Sequence, residues 1–349
     1  MDIASRSFGT SGEVLSNARP TALGSLGLRT ALVGRTALER ADQLVAWVAP
    51  RDRPGLLIFV FHCVFSDGQE ADAGITDPHE RATPEGLTRL FAHFRDHAYR
   101  FVSAREIDSG LPPGGRYAHL TFDDGFANNL RLVDLLAREQ VYATIFPSAN
   151  HVRDGKAFWW NVVYRERHRR GQGATVASEC ARLRQMTVGE VDGHLLSEFG
   201  PRALEPIGDV DRPLSVAELR EIANSPWIEV GNHTLDHAVL PLHPPADAEA
   251  QIAGAQEWLG DVLGAMPIFI AYPNGNADYG LADMARRHGL RLGATVVPTW
   301  NALPASADAR MKLGRFRIVF DRRERPRMRA VRSSVQLAAL ARGLMLRDS

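Results

Sequence analysis

A chain of 349 residues has room for one α/β barrel of ~250 residues with extensions, or for two small domains. Its apolar share of 45% is ordinary for a globular protein with a sizeable core, and a formal net charge of zero gives a general nucleic-acid partner no support. Two cysteines, Cys63 and Cys180, exclude a disulfide-dense scaffold and leave the redox compartment open.

Residues 1–26 are rich in Ser, Gly and Ala with scattered charge, a composition that predicts poor order. Residues 27–48 have helical spacing, with Leu28, Ala31, Leu38, Leu44 and Val48 as apolar members. Two readings stay open for this helix: packing against the fold, or lying on a membrane surface. No continuous apolar signal segment and no run of ~18 apolar residues is present. The expected location is therefore cytoplasmic, with peripheral contact at the inner membrane face as its extension.

Leu56–Cys63 is a continuous apolar run and predicts a buried parallel strand, with His62 near its end. Thr83–Pro84 opens a helix with proline in the first turn, and Leu87, Leu90, Phe91 and Phe94 form its buried stripe. Tyr99–Val102 is the next strand, and Pro112–Gly115 is a turn. Tyr117–Phe122 follows as a buried strand running into Asp123, Asp124 and Gly125, where the glycine lets the backbone turn sharply. A helix is predicted over Asn128–Gln140, with Leu130, Val133 and Leu136 on one stripe, and then a strand over Val141–Pro147.

Residues 150–212 break this rhythm. The stretch is helical in flavour and contains Phe158–Trp159–Trp160 and the cationic run Arg165–Arg170, so it reads as an insertion over the mouth of the fold. Ser215 and Glu218 form a capping box for a helix to about Ala223, which Pro226 ends. Trp227–Val230 is the strand leading to His233-Thr234-Leu235-Asp236-His237. Asp247 is expected to cap a helix through Val262, with Ile252, Ala255 and Leu259 inward. Ile268–Tyr272 is the strand before Pro273–Asn274–Gly275, and Leu281–His288 is a helix closed by Gly289. Leu292–Val297 and Phe316–Val319 are the last strands. Residues 322–329 are strongly basic and 335–346 have amphipathic helical spacing. That tail is either a solvated face or a contact with a membrane of anionic lipid or a partner.

Strand–helix alternation predicts an α/β fold with about seven parallel strands. In barrels of this type active sites lie at the carboxyl ends of the strands. Asp123, Asp124, His233 and Asn274 all fall just after predicted strands. Buried charge at a strand end needs a partner, and a metal ion is the most effective one. His233 and His237, four residues apart after a strand, are expected on one side of a helical turn. With Asp124 they offer one carboxylate and two imidazoles. Three ligands with an open fourth position are the catalytic arrangement for zinc, and cobalt or nickel also suits this donor set. Either motif alone reads equally as an ordinary turn or as surface histidines; their joint occurrence favours a metal site.

The segments TFDDG (121–125), HTLDH (233–237) and AYPNG (271–275) come in an order and spacing that resembles the polysaccharide deacetylase family, also called carbohydrate esterase family 4 or the NodB homology domain. The resemblance covers roughly residues 55–320. It implies a distorted, incomplete (β/α) barrel, a divalent metal, and removal of acetyl groups from N-acetylated sugars. On that reading residues 1–54 are an extension, 55–320 the barrel with its insertion at 150–212, and 321–349 a basic tail. By position Asp123 matches the family's catalytic base, and Asp124, His233 and His237 its metal ligands. A backbone N–H at Asn274 matches the donor that holds the oxyanion, with Tyr272 and Pro273 shaping that wall. The family often carries a histidine at the place of His62. Trp159 and Trp160 either anchor the insertion to the core or stack on sugar faces.

Two departures from the family pattern matter. The arginine that usually starts the third motif and orients the base is Ala271 here. The late Leu-x-His motif that supplies the general acid has no clean match; the corresponding stretch is Leu313–Gly314–Arg315. Arginine does not donate a proton near neutral pH, so Arg315 is expected to stabilise the oxyanion or bind an acidic sugar. The acid is then left to His62 or to a protonated Asp123. The reading is a metal-dependent hydrolase that removes N-acetyl groups from an amino-sugar glycan or precursor in cell-surface polysaccharide biosynthesis. The alternative is a catalytically silent, metal-containing carbohydrate-binding protein. A glycosidase using Asp123 and Asp124 fails, because sequence neighbours at a strand end do not flank a bond at the ~5–9 Å required.

Overall fold

The computed structural model describes residues 54–327. Its strands are β1 (Gly55–Phe61), β2 (Arg100–Phe101), β3 (Arg116–Asp124), β4 (Ala143–Pro147), β5 (Ile228–Val230), β6 (Phe269–Ala271), β7 (Leu292–Ala294) and β8 (Phe316–Arg317). Every ladder between them is parallel. The larger sheet runs β5-β4-β3-β1-β8, and β6 and β7 form a second, two-stranded sheet. β2 and β4 share one edge of β3: β2 pairs with Tyr117 and Ala118, and β4 with Leu120–Asp124. Single parallel bridges, Asn232 to Ile270 and Ala294 to Leu313, tie the β6–β7 pair to the two ends of the larger sheet. The architecture is a distorted, incomplete barrel of parallel strands with helices outside it; the alternation of elements predicts the parallel strands and the family resemblance the barrel, and the described residues hold eight strands where about seven are expected.

Side-chain alternation along β1 sorts two cores. Leu57, Phe59 and Phe61 face the helices, against Leu87, Phe91, Phe94 and Phe122. Leu56 and Ile58 face the interior, with Phe146, Phe269, Ala271 and Ala294. Both faces are covered, which is why β1 is apolar at every position.

The caps follow local chemistry. Thr83 Oγ1 accepts from the Gly86 N–H at the start of helix Pro84–Asp96, whose buried residues include Leu87, Leu90, Phe91 and Phe94. The Ser215–Glu218 capping box opens helix Val216–Ala223. Two details differ from expectation. After β3 the chain first makes a 3₁₀ turn, Ala127–Arg131, and only then the α-helix Leu132–Glu139. The tighter turn changes the angular register, so Leu132, Leu135 and Leu136 are buried while Leu130 and Val133 are only partly so. The helix expected to begin at Asp247 begins at Pro245, where proline's fixed φ suits the first turn and its missing N–H costs nothing.

The stretch 150–212 is helical, with helices Trp159–Arg169, Val176–Leu183 and Val188–Phe199. It has its own apolar cluster, built on Phe126, Phe158, Trp160, Leu183 and Leu195. Trp160 is buried and stacks on Phe158 at 5.1 Å, so it anchors; Trp159 is only partly buried. Within the cationic run Arg165 is buried. It pairs with Asp211 and donates to the carbonyls of Ala203 (2.7 Å) and Glu205 (2.8 Å). The helix expected at 27–48, the amphipathic segment at 335–346 and the end of the basic stretch lie outside the described residues. No described helix is long and apolar enough to cross a membrane.

Removing one partner of a buried ion pair leaves an uncompensated charge. Asp211→Ala should therefore lower the unfolding free energy by about 3–5 kcal/mol. Chemical denaturation checks this, and an unchanged midpoint would show that the pair does not hold the insertion.

Candidate metal centre and active site

β3 delivers two adjacent aspartates to one cavity. In a regular strand they would face opposite sides. Asp123 follows the alternation and points inward with Thr121. Asp124 has φ 73°, a left-handed conformation that breaks the alternation and turns its carboxylate to the same side. Such a residue costs ~1–3 kcal/mol and needs its surroundings to hold it. The Ser148 N–H donates to the Asp124 carbonyl at 3.1 Å, and the Gly125 N–H to the Asp123 carbonyl at 2.9 Å. Gly125 continues at φ 81°, and a Cβ there would lie 2.7 Å from Pro147 Cβ and 2.8 Å from its Cα. Only glycine fits.

The HTLDH segment is not the helical turn its spacing suggests. Thr234 has φ 64° and His237 φ 53°, so the chain makes an irregular turn instead. Polar side chains hold it. Asn232 Oδ1 accepts from the Thr234 N–H at 2.8 Å, and Thr234 Oγ1 accepts from the Ala238 N–H at 3.1 Å. Asn150 and Gln251 each donate to the Asp236 carboxylate at 2.7 Å.

The two histidines converge on Asp124. Oδ1 lies 3.4 Å from His233 Nε2 and 3.5 Å from His237 Nε2. His233 Nδ1 donates to the Ala271 carbonyl at 2.7 Å, which leaves a lone pair on Nε2. Nε2 of His233 and both oxygens of Asp124 are buried and have no hydrogen-bond partner among the described residues. An anion and a lone pair facing each other repel unless a cation lies between them. Donor atoms at about 2.0–2.1 Å from one ion in tetrahedral geometry are about 3.4 Å apart. The spacing, the donor types and the missing hydrogen bonds all fit a divalent ion held by Asp124, His233 and His237.

The charge states suit that role. Burial works to raise the Asp124 pKa, but His233, His62 and His237 outweigh it and hold the carboxyl well below the usual range. Burial, then the neighbouring His233, pushes His237 down to about 3, so its imidazole is neutral. Trp160 packs beside the His237 ring at 4.7 Å and ties the 150–212 stretch to the site.

Asp123 is not part of this cluster. Arg315 grips it with two parallel bonds, Nη1 to Oδ1 at 2.6 Å and Nη2 to Oδ2 at 2.7 Å. Arg315 also donates to the Thr295 carbonyl at 2.9 Å and to Thr121 Oγ1 at 3.0 Å. Burial alone would raise the Asp123 pKa; Arg315, then His233, keeps it below the usual carboxylate range.

Two expected substrate contacts take other places. The Arg315 side chain has no exposed surface, so it meets neither oxyanion nor sugar directly. Alternation into β8 explains this: Phe316, its first residue, faces the helices, and Arg315, just before it, the interior. It thereby approaches Asp123 from β8, while position 271 on β6 holds only a buried alanine. Tyr272 is likewise fully buried. Phe269 and Ala271 point inward, so Ile270 and Tyr272 point outward, into the cluster with Ile252 and Leu281.

Asn274 does sit at the rim, in the Pro273–Gly275 turn at φ 56°. With His237 it borders a shallow open cleft that Trp159, Lys156, Asp192 and Asp236 also line. His62 ends β1 and pairs with Glu80 at 3.1 Å. Sequence reasoning missed Glu80, Thr121 and Arg317. Glu80 lies in an irregular loop with no periodicity to read; Arg317, two residues beyond Arg315 in a predicted strand, was open to discovery by alternation.

An ionised carboxylate kept rigid beside a place for a divalent ion equips a protein to hydrolyse an acyl bond. A family model described as polysaccharide deacetylase matches residues 110–293, more than half of the chain. The chain belongs to that family, whose members are carbohydrate de-N-acetylases, hydrolases that depend in general on a divalent metal. No curated protein matches the chain. Solved structures share the fold at low identity. The Streptococcus pyogenes deacetylase PplD is 17% identical, with a TM-score of 0.50 over 83% of this chain and 98% of that one. IcaB from Ammonifex degensii is 19% identical, with a TM-score of 0.52 over 80% and 98%. The BpsB deacetylase domain from Bordetella bronchiseptica is 19% identical, with a TM-score of 0.50 over 78% and 98%.

Metal analysis tests the cluster directly. Protein dialysed against trace zinc should retain one ion per chain, and Asp124→Asn or His233→Ala should retain far less. Equal retention in the variants would place the ion elsewhere.

Proposed function

We propose that this chain is a metal-dependent de-N-acetylase acting on an amino-sugar glycan or glycan precursor. Asp124, His233 and His237 hold the ion, for which zinc is the first choice, and Asp123 is the base. The observation that carries this is the bare Asp124 carboxylate between two imidazoles, beside a second carboxylate that Arg315 keeps apart. When bound, the ion lowers the pKa of a water and polarises the acetyl carbonyl. Asp123, ionised and fixed in plane by its fork with Arg315, takes the proton from the attacking water. Arg315 acts as a positioning residue. Asn274, at the rim beside His237, is the proposed donor to the oxyanion. The half-exposed Trp159, with Lys156, Asp192 and Asp236 around it, offers an apolar face within a polar rim, which suits a sugar ring.

The setting we propose is cell-surface polysaccharide biosynthesis at the cytoplasmic membrane face. It rests on the family's substrate class and on the basic stretch from Arg322. Residues 55–320 are the proposed catalytic unit and 150–212 its insertion. The silent-binder reading loses one of its grounds, since Arg315 fills the role that Ala271 cannot.

Incubated with N-acetylglucosamine oligomers, the protein should release acetate, stop with chelator and recover with zinc. Asp123→Asn should reduce turnover by at least about 10²-fold with the ion retained. An ion-loaded protein that releases no acetate from any acetylated glycan would be the silent binder; loss of the ion in Asp123→Asn would exchange the roles of the two aspartates. Arg315→Lys keeps the charge but loses the fork. Its kcat should fall by about 10–100-fold with KM nearly unchanged, and a rise in KM alone would make Arg315 a substrate contact.

A further inference from the structure

Amide hydrolysis has a second requirement. The leaving nitrogen must gain a proton as the C–N bond breaks. Arg315 occupies the place where a late histidine was sought, and it is committed to Asp123. From the geometry we propose that His62, backed by Glu80, is the general acid; the proposal rests on the de-N-acetylase reading above.

The strand register places His62. In the last paired row of β1 and β3, Phe61 lies opposite Phe122, and their rings stack at 5.4 Å on the outer face. One residue further, both side chains face the interior. His62 and Asp123 thus stand level on neighbouring strands, which are spaced ~4.8 Å apart. Both are at the carboxyl end of the sheet, where Asp124 meets its histidines.

The surroundings of His62 hold it and charge it. Its Nδ1 lies 3.1 Å from Oε2 of Glu80, a residue only 1% exposed. The other oxygen of Glu80 accepts from Arg317 Nε at 2.5 Å. Asn129 Nδ2 donates to the His62 carbonyl at 2.8 Å, and the His79 ring stacks over the imidazole at 4.7 Å. With 23% of its side chain exposed, His62 is enclosed but reachable. Burial would lower its pKa, yet the adjacent Glu80 carboxylate, most of all, raises it above the ordinary imidazole range. Glu80 itself is held at about 2, against burial, chiefly by His62. Burial and then His62 lower the His79 pKa, so of the stacked pair His62 carries the proton. Glu80 occupies Nδ1–H, and the proton that can leave is on Nε2.

The step balances. Water oxygen bonds to the acetyl carbon, and Asp123 takes one water proton. The C–N electron pair departs on nitrogen, which takes the Nε2 proton of His62. Free amine and acetic acid result, and the acid ionises to solvent. The proton on Asp123 returns through solvent to His62, restoring both groups.

His62, His79 and Glu80 also group closely enough to hold an ion themselves. Against this, Glu80 already accepts from His62 and from the Arg317 guanidinium, whose fixed charge repels a cation.

Leaving-group dependence separates a proton donor from a structural residue. Wild type, His62→Gln and Glu80→Gln are compared on an N-acetylglucosamine oligomer and on 4-nitrophenyl acetate, whose leaving group departs without a proton. His62→Gln should lose about 10²–10⁴-fold in kcat on the amide, and far less on the ester. Glu80→Gln should show the same pattern with a smaller loss, and both variants should keep one ion. Equal losses on the two substrates, or unchanged amide turnover, overturn the proposal. So does a wild-type count of two ions that falls to one in His62→Gln. An ion-loaded wild type that cleaves the ester but no acetylated sugar overturns the de-N-acetylase reading as well; an active wild type with an unaffected His62→Gln overturns this proposal alone.

Discussion

Everything at the carboxyl end of the sheet answers to one electrostatic problem. Asp124 is a buried carboxylate with no hydrogen-bond donor, and two imidazole nitrogens face it. An anion so placed is unfavourable on its own and becomes favourable with a cation between the three donors. The positive φ of Asp124, the glycine after it and the polar scaffolding of the HTLDH turn are local costs accepted to bring these donors together. Strain of this sort collects where function requires a geometry that regular structure does not supply.

Around that cluster, charge is distributed by a strand of two residues. Arg315, just before β8, and Arg317, its last residue, flank Phe316 on the opposite side of the pleat, and each claims a different carboxylate. Arg315 fixes Asp123; Arg317 fixes Glu80, behind His62. A pleat thus assigns one guanidinium to the residue proposed to accept a proton and the other to the pair proposed to donate one. Because Arg315 presents a planar fork to a planar carboxylate, orientation as well as charge is transmitted.

Much of this was legible in the amino-acid sequence. The apolar run of β1, the proline and threonine before helix Pro84–Asp96, and the Ser215–Glu218 box are local signals, and local physics obeyed them. Asp124, His233 and His237 could be grouped because the two motifs occur together, each just after a predicted strand. The turn at His233 could not be read, since a spacing of four serves an irregular turn as well as a helix. Tyr272 and Arg315 were misplaced for one reason: which way a side chain points near a strand end depends on the strand's last paired residue, set by partners far away. The Arg315–Asp123 and Arg317–Glu80 pairs join residues more than 190 positions apart, beyond any periodicity. Glu80 had no signal at all, lying in a loop that folds over β1.

The two sheets meet along narrow seams, and one of these runs through the site. Asp124 belongs to the larger sheet, whereas His233 follows the Asn232–Ile270 bridge and donates to the Ala271 carbonyl on β6. An ion gripped by both would act as a clasp across a junction that carries a single bridge. Binding free energy at that centre would then add to the cohesion of the two sheets, since an ion held there bridges a residue of β3 and a turn anchored on β6.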